Sequence, residues 1–237
     1  VRKLPGAGSV AYMGADDGRK LLMSDSNRLE KTVTAEGLLW GSEVANEYHG
    51  IASSHMDDQW RDYINPFFEK YEFDLTKTID FAAGFGRNTK KLLEAGAGHV
   101  MMVDFNQECI DQLKSTLEGP RAKSFKNDGY SLSGLSDQSA SFFYSFDAMV
   151  HFDMEVIISY IPEIARVLKS GGHALLHHSN YSKNPGGDFR ANPHWRNFMT
   201  AAILKHVAIR SRFDVIEQRE VPWGEEQIDC ISILRKK

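Results

Sequence analysis

Gly84, Gly86 and Asp104 are the residues whose types and spacing carry the most chemistry. They lie in the stretch Thr78–Asn106, which reads Thr-Ile-Asp-Phe-Ala-Ala-Gly-Phe-Gly-Arg-Asn, then a helical segment, then His-Val-Met-Met-Val-Asp-Phe-Asn. Glycine lets backbone approach a ligand closely and reach dihedrals closed to other residues. A carboxylate about 20 residues beyond such a loop is placed to hydrogen-bond the two hydroxyls of a ribose. A nucleoside-containing ligand is the first expectation.

A second group suits proton transfer. Asp147, His151, His177, His178 and Tyr181 fall at the carboxyl ends of two expected strands, where ligands sit in open α/β sheets. Histidine is poised for proton transfer near neutral pH. Alternation along the strand sends His177 and His178 to opposite faces. His178, nearer the strand end, is the better candidate base, beside His151 and Asp147. His151, His177, His178, Asp147 and Asp153 also suggest a metal site, but no short-spaced zinc motif appears, and no metal is expected.

The elements that position these groups follow from periodicity. Strands are expected over 75–82, 99–105, 122–127, 139–146 and 173–178, with helices over 87–94, 107–117 and 153–169 between them. Asn106 is a good N-cap, and Ser170-Gly171-Gly172 reads as a C-terminal cap. A helix over 195–207 and strands over 213–221 and 227–234 close the chain, the last two as an antiparallel hairpin. Alternating strands and helices imply an α/β fold: a doubly wound, mostly parallel sheet of seven strands ending in that hairpin. Trp60, Tyr63, Ile64, Phe67 and Phe68 repeat at helical spacing within 42–71, and Pro66 breaks that run or opens a second helix. Residues 1–41 are glycine-interrupted and read as a partly ordered extension. Residues 42–237 form the ligand-binding domain, with cap helices over 42–71 and a polar loop over 179–195.

Composition sets the outer limits. The 237 residues carry a formal net charge of −4, which argues against a nucleic-acid partner. No apolar run is long enough to span a bilayer, and the N-terminus has no signal-peptide core. The start at Val1 suggests a processed or truncated chain. Cys109 and Cys230 lie far apart and suit buried, reduced thiols of a cytoplasmic protein.

These motifs together resemble a class I S-adenosylmethionine-dependent methyltransferase over about residues 60–236. The loop Asp80-Phe81-Ala82-Ala83-Gly84-Phe85-Gly86 is similar to the family's Asp-x-Gly-x-Gly-x-Gly, with Ala82 in place of the first glycine. Asn127-Asp128-Gly129 is similar to the adenine-contact element, and Ile164–Gly172 to the segment leading into strand five. The resemblance implies S-adenosylmethionine as methyl donor. It places the donor on Asp80, Ala82, Gly84, Gly86, Asn88, Asp104, Phe105, Asn106, Asp128, Gly129, Ser145 and Phe146. In that reading Asp104 takes the ribose hydroxyls and Asp128 the adenine amino group; the plain alternative for Asp128 is a turn residue. No Asn-Pro-Pro-Tyr element follows strand four; Ser145-Phe146-Asp147-Ala148 stands there. The expected acceptor is therefore a small molecule, methylated on a hydroxyl. No nucleic acid or membrane is expected as partner, and a homodimer is allowed. A donor-binding domain of a larger assembly and a methyltransferase acting on RNA or protein are the alternatives.

Overall fold

Seven strands form one sheet, with β1 (Lys77–Phe81), β2 (His99–Asp104), β3 (Ala122–Lys126), β4 (Ala140–Ser145), β5 (Leu168–Ser179), β6 (Phe213–Val221) and β7 (Asp229–Lys236). The computed structural model describes residues 28–35, 37, 50, 54–224 and 227–237. The order across the sheet is β3-β2-β1-β4-β5-β7-β6. β1 to β5 pair in parallel, while β7 runs antiparallel between β5 and β6. Every residue of β4 is buried. Helices on both faces leave that central strand no polar side, so its sequence shows no alternation.

Two apolar cores lie on the two faces. On one, α1 (Met56–Gln59), a π-helical stretch over Trp60–Ile64 and α2 (Asn65–Lys70) join α3 (Arg87–Glu94) and α4 (Gln107–Thr116). Trp60, Phe67, Leu92 and Ile110 there meet Met102, Tyr144 and Leu175 of the sheet. On the other, α5 (Met154–Val167) and α6 (Ala201–Arg210) set Ile157, Ile161 and Leu204 against Ile79, Phe143 and Ala174. Pro66 stands in the first turn of α2, where no backbone donor is needed. Asn106 and Asp153 cap α4 and α5 by accepting from Glu108 N and Glu155 N. The crossover over 127–139 contains no helix.

Two local expectations are corrected. Ser170-Gly171-Gly172 does not cap α5. The helix ends at Val167, and β5 begins at Leu168, with the extra residues bulging between the Ala140–Leu168 and Phe142–His173 pairs. A side chain at Gly172 would stand 2.9 Å from Ser141 O, so glycine admits the neighbouring backbone. The last helix does not start at Trp195. His194 and Trp195 have φ of 48° and 55°, which no α-helix accommodates. The helix begins at Ala201, where Thr200 accepts from Ile203 N. Most of the expected extension over 1–41, and its boundary with the rest, lies outside the described residues.

Candidate active site

The loop after β1 turns through three left-handed residues, with φ of 55° at Ala82, 54° at Gly84 and 78° at Gly86. Glycine takes this conformation freely, whereas alanine pays for it in Cβ contacts. Asp104, at the end of β2, ties the loop to its own strand. Its Oδ2 accepts from Gly84 N at 2.9 Å and its Oδ1 from Asn106 N at 2.9 Å. Burial raises its pKa, and the backbone N–H groups oppose that rise.

Between this loop and the end of β4 lies a cavity of about 90 Å³. Ala82, Gly84, Asn88, Asp104, Phe105 and Asn106 form one wall; Arg87, Phe146, Asp147, Ala148, His151 and Phe152 form the rest. A smaller cavity of about 30 Å³ adjoins it, sharing Ala82, Asp104 and Phe105 and reaching Asn127, Gly129 and Val33. Val33 belongs to a short helical segment over 28–35. A Cβ on Gly129, whose φ is 88°, would stand 2.2 Å from Val33 Cγ1, so glycine is required beneath it. Arg28 of the same segment pairs with Glu155 of α5. Val33 thus roofs the smaller cavity beside the Asp104 wall.

Four of the residues expected on the donor lie outside these cavities. Asp80 is buried beneath the loop and accepts from Thr89 Oγ1 at 2.5 Å. Burial pushes its pKa up from 3.8 to about 7. Gly86 opens α3, and the place of its missing side chain is filled by Leu117. Asp128 is exposed and accepts from Tyr130 N, Ser131 N and Ser131 Oγ. That is the side-chain-to-backbone turn weighed as its plain alternative. Ser145 is buried at the end of β4.

On the acceptor side, Arg87 Nη2 donates to Asp147 Oδ2 at 2.7 Å, both side chains largely buried. Asp147 has a φ of 57° and donates its backbone N–H to Nδ1 of His177 at 3.1 Å. An imidazole nitrogen that accepts carries no proton, so the proton of neutral His177 lies on Nε2. Nε2 stands 3.3 Å from Asp229 Oδ2. Arg196 grips the same carboxylate twice, from Nε at 2.8 Å and from Nη2 at 2.6 Å. Burial raises the Asp229 pKa, but His177 and Arg196 outweigh it and hold the group at about 2. Phe146 stacks on the His177 ring at 4.5 Å, and Trp223 lies 5.5 Å away.

His151 lines the cavity, with Nδ1 3.0 Å from the carbonyl of Trp195. A carbonyl only accepts, so Nδ1 holds the proton and Nε2 is the basic nitrogen. Burial, helped by the charge of Arg196, lowers its pKa to about 4. His178 corrects the expectation that it is the better base. It is fully buried, its Nδ1 donates to Ser179 O at 2.9 Å, and its Nε2 accepts from Ser232 Oγ at 2.8 Å. β5 runs on to Ser179 and pairs with β7, so both histidines are sealed inside the sheet rather than displayed at its end. Tyr181 also lies outside the cavity; its backbone N–H donates to Ser179 Oγ.

Sequence reasoning passed over Arg87, Arg196, Trp223 and Asp229. Arg87 had a signal, since it follows Gly86 directly. The other three meet only through the pairing of β5 with β7. Among the described residues no group of His, Cys, Asp and Glu is arranged to hold a metal ion. No helix among them is long and apolar enough to cross a membrane.

Residues 79–172 match the family model of the methyltransferase domain. No curated protein matches the sequence. An S-adenosylmethionine-dependent methyltransferase from Mesorhizobium loti superposes with a TM-score of 0.57 at 16% identity, covering 68% of this chain and 90% of that one. A methyltransferase of the same dependence from Methanosarcina mazei gives 0.56 at 19% identity, over 72% and 97%. A TehB-like one from Corynebacterium glutamicum gives 0.53 at 18% identity, over 79% and 100%. At such identities these likenesses show the fold. With the strand order, the family-model match identifies residues 79–172 as a methyltransferase domain of the class I, S-adenosylmethionine-dependent type, with S-adenosylmethionine as methyl donor.

Proposed function

We propose that the acceptor is a small molecule methylated on a hydroxyl, with His151 as base. The observation that carries this reading is the cavity itself: Gly84 and Asp104 on one wall, His151, Asp147 and Arg87 on the other. His151 and Asp147 are only 6% and 5% exposed. A side chain on a folded macromolecule would reach them poorly, whereas a detached metabolite enters whole.

Bound S-adenosylmethionine supplies a methyl group already activated on a sulfonium, so the protein contributes mainly position. Asp104 orients the ribose, and the flat face of Phe105 flanks the adenosine. Arg87 and Asp147 orient polar groups of the acceptor. His151 Nε2 takes the hydroxyl proton as the oxygen becomes nucleophilic. Phe146 and Phe152 keep water from the reacting atoms.

Methyl transfer from labelled S-adenosylmethionine to fractionated metabolite pools tests the reading. Label is expected in the small-molecule fraction, reduced by about 10²–10⁴-fold in rate with His151→Gln. Label found only in RNA or protein fractions would instead support a macromolecular acceptor. Donor binding with no transfer to any fraction would support the non-catalytic alternative.

A further inference from the structure

The crossover between β3 and β4 carries no helix, and the sheet shows the consequence. A parallel sheet normally has both faces covered. Among the described residues, the face of β1, β2 and β3 near their amino ends is left uncovered, beyond the reach of α5. The opening is a groove of about 320 Å³, within the range of small-ligand sites. It lies at the opposite ends of the strands from the cavity at Gly84 and Asp104.

Register explains its lining. Lys77 pairs with His99, and Ile79 with Met101, which pairs in turn with Lys123. Side chains at such matched positions project to the same side of the sheet. The groove therefore has an apolar floor of Ile79 and Met101, walled by Leu135, with cationic or titratable groups at Lys77, His99 and Lys123. The lining contains no aspartate or glutamate, although acidic residues outnumber Lys and Arg in the chain, 32 to 28. Among the described residues neither the Lys77 nor the Lys123 ammonium forms an ion pair. Glu118 feels the Lys123 charge but is engaged by Ser124 N and Oγ. A third cation, Arg121, already donates to the carbonyls of Leu93 and Ala97.

We infer that this groove is a second ligand site, distinct from the methyl-transfer cavity, for a small organic anion with an apolar body. The floor takes the hydrocarbon, and Lys77 and Lys123 take the acid. Burial of apolar area supplies affinity, while the two ammonium groups supply the preference for an anion. A neutral ligand of the same shape leaves both charges unanswered, and a cation is repelled.

The probe is 8-anilinonaphthalene-1-sulfonate, followed by fluorescence and calorimetry on the full chain. One molecule is expected to bind per chain. Affinity is expected to fall at least tenfold in Lys77→Glu/Lys123→Glu and at least fivefold for the neutral N-phenyl-1-naphthylamine. Both substituted positions are exposed strand positions, and circular dichroism checks that the variant stays folded. Met101→Glu is the second variant and should abolish binding by charging the floor. S-adenosylhomocysteine should leave the probe in place. Displacement by S-adenosylhomocysteine would put the probe in the donor cleft and overturn the inference. Undiminished binding in both variants would do the same, as would no binding at all. So would a native dimer that becomes monomeric in the double variant, which would make this face an interface between copies.

Discussion

Asp147 donates its backbone N–H to Nδ1 of His177 across 3.1 Å. That one contact decides what the histidine does. It fixes the proton on Nε2, toward Asp229, and makes His177 a strut beneath the Arg87–Asp147 pair rather than a base facing substrate. Nitrogen-15 NMR should show Nδ1 bare and Nε2 protonated. His177→Leu leaves the buried Asp147 N–H without an acceptor, at a cost of about 1–3 kcal/mol. His177→Asn, whose side-chain oxygen can stand in for Nδ1, should retain more of that stability by urea unfolding. A tautomer with its proton on Nδ1 would refute the strut.

Asp104 should matter twice, for the loop and for the donor. Asp104→Ala removes the acceptor of Gly84 N and Asn106 N. It is expected to weaken S-adenosylhomocysteine binding at least tenfold by calorimetry, about 1.4 kcal/mol or more. Asp128→Ala, whose carboxylate is spent on its own turn, should weaken binding less. The reverse ranking would return Asp128 to the adenine contact.

Ala82 holds a φ of 55° where the resembled pattern has glycine. Left-handed backbone costs a non-glycine residue about 1–2 kcal/mol, partly offset by the greater freedom glycine gives the unfolded chain. Ala82→Gly is therefore expected to raise stability by up to about 1 kcal/mol, read as a higher midpoint at unchanged slope in urea. A loss of stability would show that the methyl group packs usefully in the loop.

Local signals made much of this architecture legible. The glycine loop, the acid ending β2 and the cap at Asn106 each depend on residues within one strand–helix unit. Long-range pairing hid the remainder. Whether His178 faces a ligand depends on β5 extending to Ser179, and β7 sets that extension by pairing Asp229 with Ser179. Arg196 and Asp229 are brought together only by the same strand insertion. The late start of α6 follows from left-handed His194 and Trp195, which helical periodicity does not report.

Asp80 and the buried histidines give opposing pH dependences. Asp80 is raised from 3.8 to about 7 by burial. Between those values the native state keeps a proton that the unfolded state has lost, so stability from this group falls as pH rises, by roughly 4 kcal/mol in full. His151 and His178 are each lowered from 6.5 to about 4 by burial. Between those values the unfolded state binds the extra proton, so each contributes about 3 kcal/mol that is lost as pH falls. Asp80→Asn should match the native protein near pH 4 and exceed it at pH 8. Its acid destabilisation should also be steeper, because the opposing group is gone. Urea unfolding at pH 4.5, 6 and 8 reads both effects, and a deficit of equal size at every pH would mean that Asp80 is ionised throughout.

The Arg196–Asp229 pair is 2% and 0% exposed at its side chains. Removing one partner strands a buried charge, which typically costs about 3–5 kcal/mol. Asp229→Asn should incur much of that loss, because Arg196 keeps its charge and His177 loses the carboxylate facing Nε2. Arg196→Met alone leaves Asp229 with only the His177 contact and raises its pKa. The double substitution Arg196→Met/Asp229→Leu removes both charges and should cost less than the sum of the single changes, with a coupling above about 1 kcal/mol. If methyl transfer then falls in the stable double variant while S-adenosylhomocysteine affinity holds, the pair acts on the acceptor wall through His177 and Asp147. If affinity and transfer both survive, its role is confined to stability.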